Sequence, residues 1–203
     1  LPWSVIEGDS GAMVGSNNWA VAGSRTASGA ALIANDMHLG LNVPNIWYRM
    51  RIVVESAGID VTGVSLPGGP AIVAGSNGHV AWGFTNSYGD WADFMRVHWL
   101  DAAQTRYLDG NGKTHTVQVF QEPIAVKGGQ PVPFTVRETI WGPITRELNA
   151  SYSLALQWTA QQPGALNIGL NELAKSSDLD SALLSAQRIG MPGQNLVIGD
   201  SNG

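Results

Sequence analysis

The sequence of 203 residues contains no cysteine, which excludes disulfide bonds and thiolate metal sites. It also contains no apolar run close to the roughly 20 residues that a membrane-spanning helix requires. Charged residues make up only 13%, and 11 Lys and Arg stand against 16 Asp and Glu, for a formal net charge of −5. Because nucleic-acid binding relies on a basic surface that displaces counterions from phosphates, this balance argues against a nucleic-acid partner.

Hydrophobic residues are abundant instead, at 44% of the chain. This composition and length suffice for one sizeable core and do not fit an intrinsically disordered protein. The chain begins at Leu1 without an initiator Met and stops in the turn-forming residues 200–203 (DSNG). We therefore expect the sequence to be a piece of a longer protein, from which an export signal could be missing.

Most of the chain has the pattern of short β-strands separated by turns. The pattern is clearest at 46–55, where apolar residues alternate with Arg49 and Arg51. Glycine-rich turn signals at 109–112 and 127–129 predict hairpins. The other predicted strands are 18–22, 30–34, 59–66, 71–74, 80–85, 94–100, 114–121, 133–139 and 153–159.

Two helices are predicted near the end of the chain. Apolar residues between Leu179 and Ala186 recur at i, i+3, i+4 and i+7, which predicts an amphipathic helix at 178–189. A preceding helix is expected at 166–175. Because the strands precede the helices rather than alternate with them, the sequence predicts an α+β fold of mostly antiparallel strands.

Ser16 follows Gly15 and precedes a predicted strand, which by itself describes an ordinary turn entering a strand. If the chain were cut between these two residues, Ser16 would carry both a hydroxyl nucleophile and a free α-amine. The reference pKa of an α-amine is about 7.7–8.0, so it can act as general base at neutral pH without a histidine. Gly15 leaves the approach to the scissile carbonyl sterically open.

Asp90 and Asp93 lie three residues apart in a loop-like segment, 89–93 (GDWAD). Two such carboxylates could share one hard cation through their oxygen atoms. Two carboxylates do not complete a calcium shell of about six to eight oxygens, so a solvated acidic loop is the alternative interpretation.

Four motifs occur in order along the chain: 16–21 (SNNWAV), 35–39 (NDMHL), 75–86 (GSNGHVAWGFTN) and 194–200 (QNLVIGD). Together they resemble the penicillin acylase (penicillin amidase) family of N-terminal-nucleophile hydrolases, which includes cephalosporin and acyl-homoserine-lactone acylases. The resemblance covers roughly residues 10–203, and the order of the motifs makes it specific.

The resemblance implies part of a four-layer αββα sandwich. Residues 1–15 would be the end of a spacer and residues 16–203 the first part of the catalytic β-chain, separated by autocatalytic cleavage at Gly15–Ser16. A separate α-chain and the remainder of the β-chain would complete the pocket, so this chain alone would be an inactive fragment or a precursor-like form. The implied substrate is a small N-acyl amide, no organic cofactor is implied, and the location would be periplasmic or secreted.

The same resemblance gives individual residues catalytic roles. Ser16 would attack the amide carbonyl while its own α-amine carries the proton. His38 would lie close to that amine and orient it or tune its basicity. The side-chain N–H of Asn195 and the backbone N–H of Asn86 would stabilise the oxyanion. Loss of one such donor typically costs roughly 100- to 1,000-fold in rate.

Three apolar residues resemble the lining of an acyl pocket: Leu39, Ala74 and Phe84. Apolar side chains at these positions imply an apolar acyl group, held mainly by burial of its surface. Phe84 replaces a small residue of the phenylacetyl-preferring members, and Ala74 replaces an aromatic one. These two departures leave the acyl group open.

The acidic segment also takes a role from the resemblance. Asp90, Asp93 and the carbonyl of Ala92 resemble ligands of a structural calcium ion, with Asp200 a less certain addition. The remaining ligands would have to come from chain that is not in this sequence.

Two other interpretations remain open. The first is a non-catalytic β-rich module that binds calcium at Asp90 and Asp93, although this does not explain why four separated motifs recur in family order. The second is a conventional serine hydrolase with a Ser/His/Asp triad that uses His38. That hydrolase would need a strained turn at the serine, and the Gly-x-Ser-x-Gly signature of such a turn is missing.

Overall fold

The computed structural model describes residues 15–41 and 43–203, and this part of the chain forms two compact units. One unit combines the described residues up to Gly89 with Leu166–Gly203, and the other is Asp90–Ala165. Residues 1–14 of the expected spacer lie outside the described residues. In the part of the chain that the structure describes, no helix is long and apolar enough to cross a membrane.

The described residues form many strands and few helices, as the sequence predicts. The strands are β1 (Gly15–Val21), β2 (Leu32–His38), β3 (Tyr48–Val54), β4 (Ile59–Ser65), β5 (Ala74–Ser76), β6 (Val80–Phe84), β7 (Ala92–Trp99), β8 (Arg106–Leu108), β9 (Thr114–Thr116), β10 (Gln118–Gln121), β11 (Thr135–Thr139), β12 (Gly142–Glu147), β13 (Tyr152–Trp158) and β14 (Leu196–Asp200). The helices are α1 (Leu179–Ala186) and short 3₁₀ helices at Gly23–Arg25, Glu55–Ala57, Thr159–Gln161 and Gly169–Lys175.

The first unit contains a two-stranded sheet, β1-β2, and a five-stranded sheet in the order β14-β6-β5-β4-β3. Every strand pair in both sheets is antiparallel. The five-stranded sheet is a meander from β3 to β6, and β14 returns to its edge beside β6 after the second unit and the helices. This return brings residues about 110 positions apart in sequence into one ladder, for example Phe84 opposite Leu196.

The predicted alternation at 46–55 is confirmed in its central part. Met50 and Ile52 of β3 are half-buried and pack against the core of the first unit. Arg51 lies on the other face, where its guanidinium forms an exposed ion pair with Asp60 of β4. The alternation therefore separates a core face from a solvent face at this edge of the sheet.

Helices cover one face of the five-stranded sheet. Trp82 of β6 is 2% exposed. It belongs to one buried cluster with Leu173 of the 3₁₀ helix at Gly169–Lys175 and with Ala182 of α1. The Trp82 indole Nε1–H donates to the carbonyl of Ile72 at 3.2 Å, so its polar atom is satisfied inside the cluster. The core of this unit lies between the sheet and these helices.

The start of α1 is fixed by two carboxylates. Asp178 is the N-cap and accepts a hydrogen bond from the Ser181 N–H at 2.8 Å, as one half of a capping box. Asp200 of β14 accepts the Leu179 N–H at 3.1 Å. The backbone N–H groups of Leu179 and Ser181 have no partner within the helix, so both carboxylates stabilise its first turn.

The β1-β2 hairpin packs on the opposite face of the five-stranded sheet. Gly83 of β6 lies against Asn35, and Gly199 of β14 lies against Ala31 and Ile33. A Cβ at either glycine would meet these side chains closer than 3 Å, so the close approach depends on glycine. The first unit is therefore layered in the order helices, five-stranded sheet, hairpin.

The second unit is a seven-stranded antiparallel sheet in the order β10-β11-β12-β13-β7-β8-β9. Its core is a cluster that contains Val97, Trp99, Tyr107 and Ala155, each at most 5% exposed. The predicted hairpin at 109–112 is confirmed as the turn between β8 and β9.

The strand predicted at 114–121 is two strands rather than one. Val117 separates β9 from β10, is 8% exposed, and donates its N–H to the carbonyl of Thr105 at 2.9 Å. On either side of it the chain pairs with different partners, β8 before and β11 after. One continuous run of β-forming residues therefore supplies both edge strands of the sheet, β9 and β10.

One of the two predicted helices differs in type from the observed one. The helix predicted at 178–189 is confirmed as α1, although it ends at Ala186. The helix predicted at 166–175 is a 3₁₀ helix over Gly169–Lys175, and the side chain of Asn167 accepts the Gly169 N–H at 2.8 Å just before it. This local side-chain bond competes with α-helical pairing at the start of the segment.

Candidate active site

The register of the β1-β2 hairpin determines where Ser16 points. Ser16 lies opposite Met37, and Asn18 lies opposite Asn35. Opposite residues of an antiparallel pair share a face, and successive residues alternate between faces. Because Asn35 packs against Gly83, this face is the one turned toward the five-stranded sheet. The Ser16 hydroxyl is therefore directed toward that sheet.

The Ser16 hydroxyl accepts a hydrogen bond from the backbone N–H of Asn86. Ser16 is half-buried. Asn86 lies two residues beyond the end of β6 and is exposed. When the Ser16 oxygen attacks a carbonyl, negative charge develops on the carbonyl oxygen bound beside it, and a backbone N–H this close to the nucleophile is near that oxygen. The contact joins two residues 70 positions apart, each from a different motif of the sequence.

Asn195 lies beside the Asn86 segment. Its N–H donates to Thr85 Oγ1 at 3.0 Å, and its carbonyl accepts the Thr85 N–H at 3.0 Å. Asn195 is exposed and immediately precedes β14. The structure therefore brings Ser16, Asn86 and Asn195 together at the same end of the β6-β14 pair.

Asn18 connects the serine strand to both neighbouring strands. Its side-chain Nδ2 donates to the Gly83 carbonyl at 3.1 Å and to the Asn195 carbonyl at 3.3 Å. Gly83 belongs to β6, which leads to Asn86, so one amide group contacts the backbone near both candidate oxyanion donors. Sequence reasoning missed this residue, although its i+2 spacing from Ser16 places both on one face of a strand.

His38 lies near Ser16 in the backbone but not on the same face. It is opposite Gly15 in the hairpin, so its side chain alternates away from the face that carries Ser16. The imidazole Nε2 lies 2.9 Å from Oδ2 of Asp36, and both side chains are about half exposed. The structure does not bring the imidazole to the Ser16 hydroxyl, and a role for His38 toward the α-amine stays a prediction.

The three residues expected to line an acyl pocket lie outside the lining of a cavity in the first unit. Ala74 and Phe84 are 8% and 6% exposed, and Phe84 belongs to the core on the helical side of the sheet. Leu39 is half-buried just after β2. A cavity of about 270 Å³ opens between the five-stranded sheet and the 3₁₀ helix, lined by Trp82, Leu170 and other apolar residues, and none of the three contributes to it. Their pocket role stays a prediction.

The candidate calcium ligands are at the start of β7. Asp90 precedes the strand, while Ala92 and Asp93 begin it opposite Trp158 and Gln157, and all three candidates are exposed. The described residues contain no group of three or more His, Cys, Asp or Glu side chains that could hold a metal ion. Two carboxylates and one carbonyl do not make a calcium site by themselves, so calcium stays a prediction that depends on ligands from elsewhere.

Asp200, the less certain addition to that set, already has backbone partners. Besides the Leu179 N–H, its carboxylate accepts the Asn202 N–H at 2.9 Å. These contacts stabilise the start of α1 and the turn after β14. A part for Asp200 in a calcium site stays a prediction.

Asn35 is a second residue that sequence reasoning missed. Both its amide atoms, Oδ1 and Nδ2, are buried and have no hydrogen-bond partner among the described residues. Buried amides are normally satisfied, and an unpaired one costs roughly 1–3 kcal/mol. No signal in the sequence distinguishes Asn35 from the polar residues around it.

Comparison with known sequences identifies the class of protein. A sequence model of the penicillin amidase family matches residues 3–203, which is nearly the whole chain. The chain therefore belongs to the penicillin amidase family.

Individual relatives include two kinds of acylase. An acyl-homoserine lactone acylase QuiP from Pseudomonas aeruginosa is 31% identical over 198 residues, covering 91% of this chain and 23% of that protein. Penicillin G acylase from Escherichia coli is 31% identical over 154 residues, covering 74% of this chain and 18% of that protein. The chain thus spans less than a quarter of the length of these relatives.

A solved structure shares the fold. The thermostable penicillin G acylase from Alcaligenes faecalis matches with a TM-score of 0.71 at 20% sequence identity, over 90% of this chain and 33% of that one. At this identity the likeness concerns the fold alone, and it agrees with the mostly antiparallel strands and few helices described above.

Proposed function

We propose that the protein from which this chain comes hydrolyses the amide bond of an N-acylated small molecule, with Ser16 as its nucleophile. The observation that carries the proposal is the hydrogen bond from the Asn86 N–H to the Ser16 hydroxyl, beside Asn195. Further support comes from the family and from relatives that are named acylases.

Acylation would begin with attack of Ser16 Oγ on the amide carbonyl carbon. The α-amine of Ser16 takes the hydroxyl proton and passes it to the leaving nitrogen, which departs as an amine. The carbonyl oxygen becomes an oxyanion, and the Asn86 N–H and the Asn195 side-chain N–H donate to it. The product of this step is an ester between the acyl group and Ser16.

Deacylation would consume one water molecule. The α-amine deprotonates the water, the resulting hydroxide attacks the ester carbonyl, and the proton returns to Ser16 Oγ as the ester bond breaks. The products are a carboxylic acid and the regenerated serine. The same two donors stabilise the second oxyanion, because the acyl carbonyl keeps its position.

The free α-amine requires cleavage of the Gly15–Ser16 bond, since these are consecutive residues of β1 and the nitrogen between them is an amide. We propose that Ser16 Oγ attacks the Gly15 carbonyl, its proton passes to the Ser16 nitrogen, and water hydrolyses the resulting ester. A Cβ built on Gly15 would meet no described atom within 4 Å, so no described residue packs against the side-chain position of Gly15.

The whole protein is proposed to complete what this chain begins. Residues 1–15 would end a spacer, 16–203 would begin the catalytic β-chain, and a separate α-chain and the rest of the β-chain would finish an αββα sandwich and an acyl pocket. The relatives are named for penicillin G and acyl-homoserine lactones, both N-acyl amides, so substrates of this chemical class are proposed here. We place the protein in the periplasm or outside the cell, by analogy with the family.

The first test measures intact masses of the full-length gene product at neutral pH. Wild type should split between Gly15 and Ser16, Ser16→Ala should stay whole, and the exposed Ser24→Ala control should split like wild type. A panel of N-acyl amides then follows on the cleaved protein. If wild type stays whole and hydrolyses no amide, the proposed function is wrong, and calcium binding at Asp90 and Asp93 becomes the alternative to measure.

A further inference from the structure

Asn18 makes two hydrogen bonds that cross between strands close to Ser16. Both use the same side-chain nitrogen, Nδ2, and both acceptors are backbone carbonyls, those of Gly83 and Asn195. Each acceptor lies on a segment that carries one candidate oxyanion donor: β6 leads to Asn86, and Asn195 is itself the other donor. Strand β1, strand β6 and the segment at Asn195 therefore meet at the side-chain amide of Asn18.

We infer that Asn18 is a positioning residue, which fixes the distance between the Ser16 hydroxyl and the two oxyanion donors. This inference rests on the proposed function of Ser16. Asn18 is two residues from Ser16 on the same strand face, a separation of about 7 Å along an extended backbone. Because β1 is stiffened by pairing with β2 along its length, a tie at Asn18 also limits movement at Ser16.

The chemistry of the side chain matches this task. A primary amide nitrogen carries two protons, so one Nδ2 can serve two carbonyl acceptors at once. Serine offers one proton, and ionised aspartate offers none. An aspartate at position 18 would face the Gly83 and Asn195 carbonyls with like partial charge and would push β1 away from them.

A packing role for Asn18 predicts a different order of variants. If the side chain only filled space beside Asn35 and Gly83, the isosteric Asn18→Asp would keep activity and the truncated Asn18→Ala would lose it. The positioning role predicts the reverse, with Asn18→Asp at least as impaired as Asn18→Ala. Asn17→Ala is the matched control, because it removes the same amide from the next residue, which is exposed on the other face.

The experiment uses the full-length protein with these three substitutions and measures both Gly15–Ser16 cleavage and steady-state hydrolysis of an N-acyl p-nitroanilide. Both Asn18 variants should cleave more slowly, and kcat should fall about 10- to 100-fold, as expected when reacting groups shift by about 1 Å. KM should change much less, because Asn18 is not among the residues expected to line the acyl pocket, Leu39, Ala74 and Phe84. Wild-type kcat in Asn18→Asp, or a loss confined to KM, would overturn the inference while the proposed function stands.

Hydrogen exchange separates failure of the inference from failure of the proposed function. Thr85 and Asn86 donate their amide N–H groups to Asn195 and Ser16, so a short peptide that contains both should exchange faster in Asn18→Asp than in Asn17→Ala. Unchanged exchange would overturn the inference in an active or an inactive protein. A wild type that neither cleaves nor hydrolyses would overturn the proposed function and the catalytic meaning of Asn18, and faster exchange would then support the structural tie alone.

Discussion

Asn35 packs against Gly83 so closely that a Cβ added to Gly83 would lie 2.3 Å from Asn35 Oδ1 and 3.0 Å from its Cγ. This contact joins the β1-β2 hairpin, which carries Ser16, to the strand that leads to Asn86. The separation between the two layers is set here by the absence of a side chain on Gly83. Substitutions at the contact should therefore alter both stability and the geometry at Ser16.

Gly83→Ala should lower the free energy of unfolding by about 1–3 kcal/mol, the usual cost of inserting a methyl group into a packed contact. The added Cβ must displace Asn35 or the hairpin, so cleavage at Gly15–Ser16 should also slow. Urea unfolding of the full-length protein measures the first effect. Gly110→Ala is the control, since a Cβ there meets nothing within 4 Å, and equal stability of the two variants would contradict the prediction.

Asn35→Leu should raise the free energy of unfolding by about 1 kcal/mol, because it replaces two buried amide atoms that have no partner among the described residues with an apolar group of similar shape. Thermal unfolding in parallel with wild type measures the change. Asn17→Leu, on the exposed face of β1, serves as control and should stay within about 0.5 kcal/mol of wild type. A lower stability of Asn35→Leu than of wild type would contradict the prediction.

Arg137 closes a ring of contacts in the second unit. Its guanidinium lies 4.7 Å from the Trp99 ring centre and donates to Glu147 at 2.8 Å; Glu147 accepts the Ser153 hydroxyl at 2.7 Å, and Ser153 Oγ accepts the Trp99 Nε1–H at 2.8 Å. Arg137→Met should cost about 1–2 kcal/mol, since Glu147 is half exposed and water screens part of the ion pair. Arg146→Met, at an exposed position of β12, should cost much less in the same unfolding experiment.

Asp109 gives the second unit a pH-dependent contribution to stability. A hydrogen bond from His115, then the Lys113 and Asn111 backbone N–H groups, lower the pKa of the Asp109 carboxyl below its ordinary value of 3.8. A lowered folded-state pKa stabilises the protein above the unfolded-state pKa, and this contribution disappears as the pH falls through the folded-state value.

Asp109→Asn should therefore be less stable than wild type at neutral pH, and the two proteins should converge as the pH falls below about 4. Unfolding measured from pH 7 to pH 3 tests this. The Asn side chain keeps an acceptor for the Asn111 and Lys113 N–H groups, so the difference reports mainly the charge beside His115. A stability difference that does not change with pH would contradict the prediction.

Within the first unit, the sequence predicts strands and helices most reliably where a periodic pattern of apolar residues continues over several residues. The run at 46–55 and the capped, periodic helix at 178–189 both carry signals that depend only on local spacing. In the second unit, β8 is only three residues long, which is too short to show a periodic pattern, so the sequence does not predict it. Of the strand predicted at 71–74, only Ala74 lies in a strand, because β5 pairs through Ala74–Ser76.

The candidate site also contains residues that the sequence could assign and residues that it could not. Ser16, Asn86 and Asn195 could be grouped in advance because a family resemblance joins motifs that are distant in sequence, and their catalytic roles remain predictions. Asn18 and Asn35 could not be assigned, since their importance depends on which backbone carbonyls and which glycine face them across the layers. That information exists only after the hairpin has packed on the sheet.

The pairing of β1 with β2 has a consequence for the chain end that cleavage at Gly15 would create. Chain ends usually fray unless they are part of a sheet. Among the described residues, Gly15 is the only one before Ser16 in the β1 ladder, so a cut after it leaves six of the seven described cross-strand pairs in place. The new amino terminus at Ser16 would remain paired with Met37 in the hairpin. The nucleophile would therefore keep its position after cleavage and would not belong to a flexible chain end.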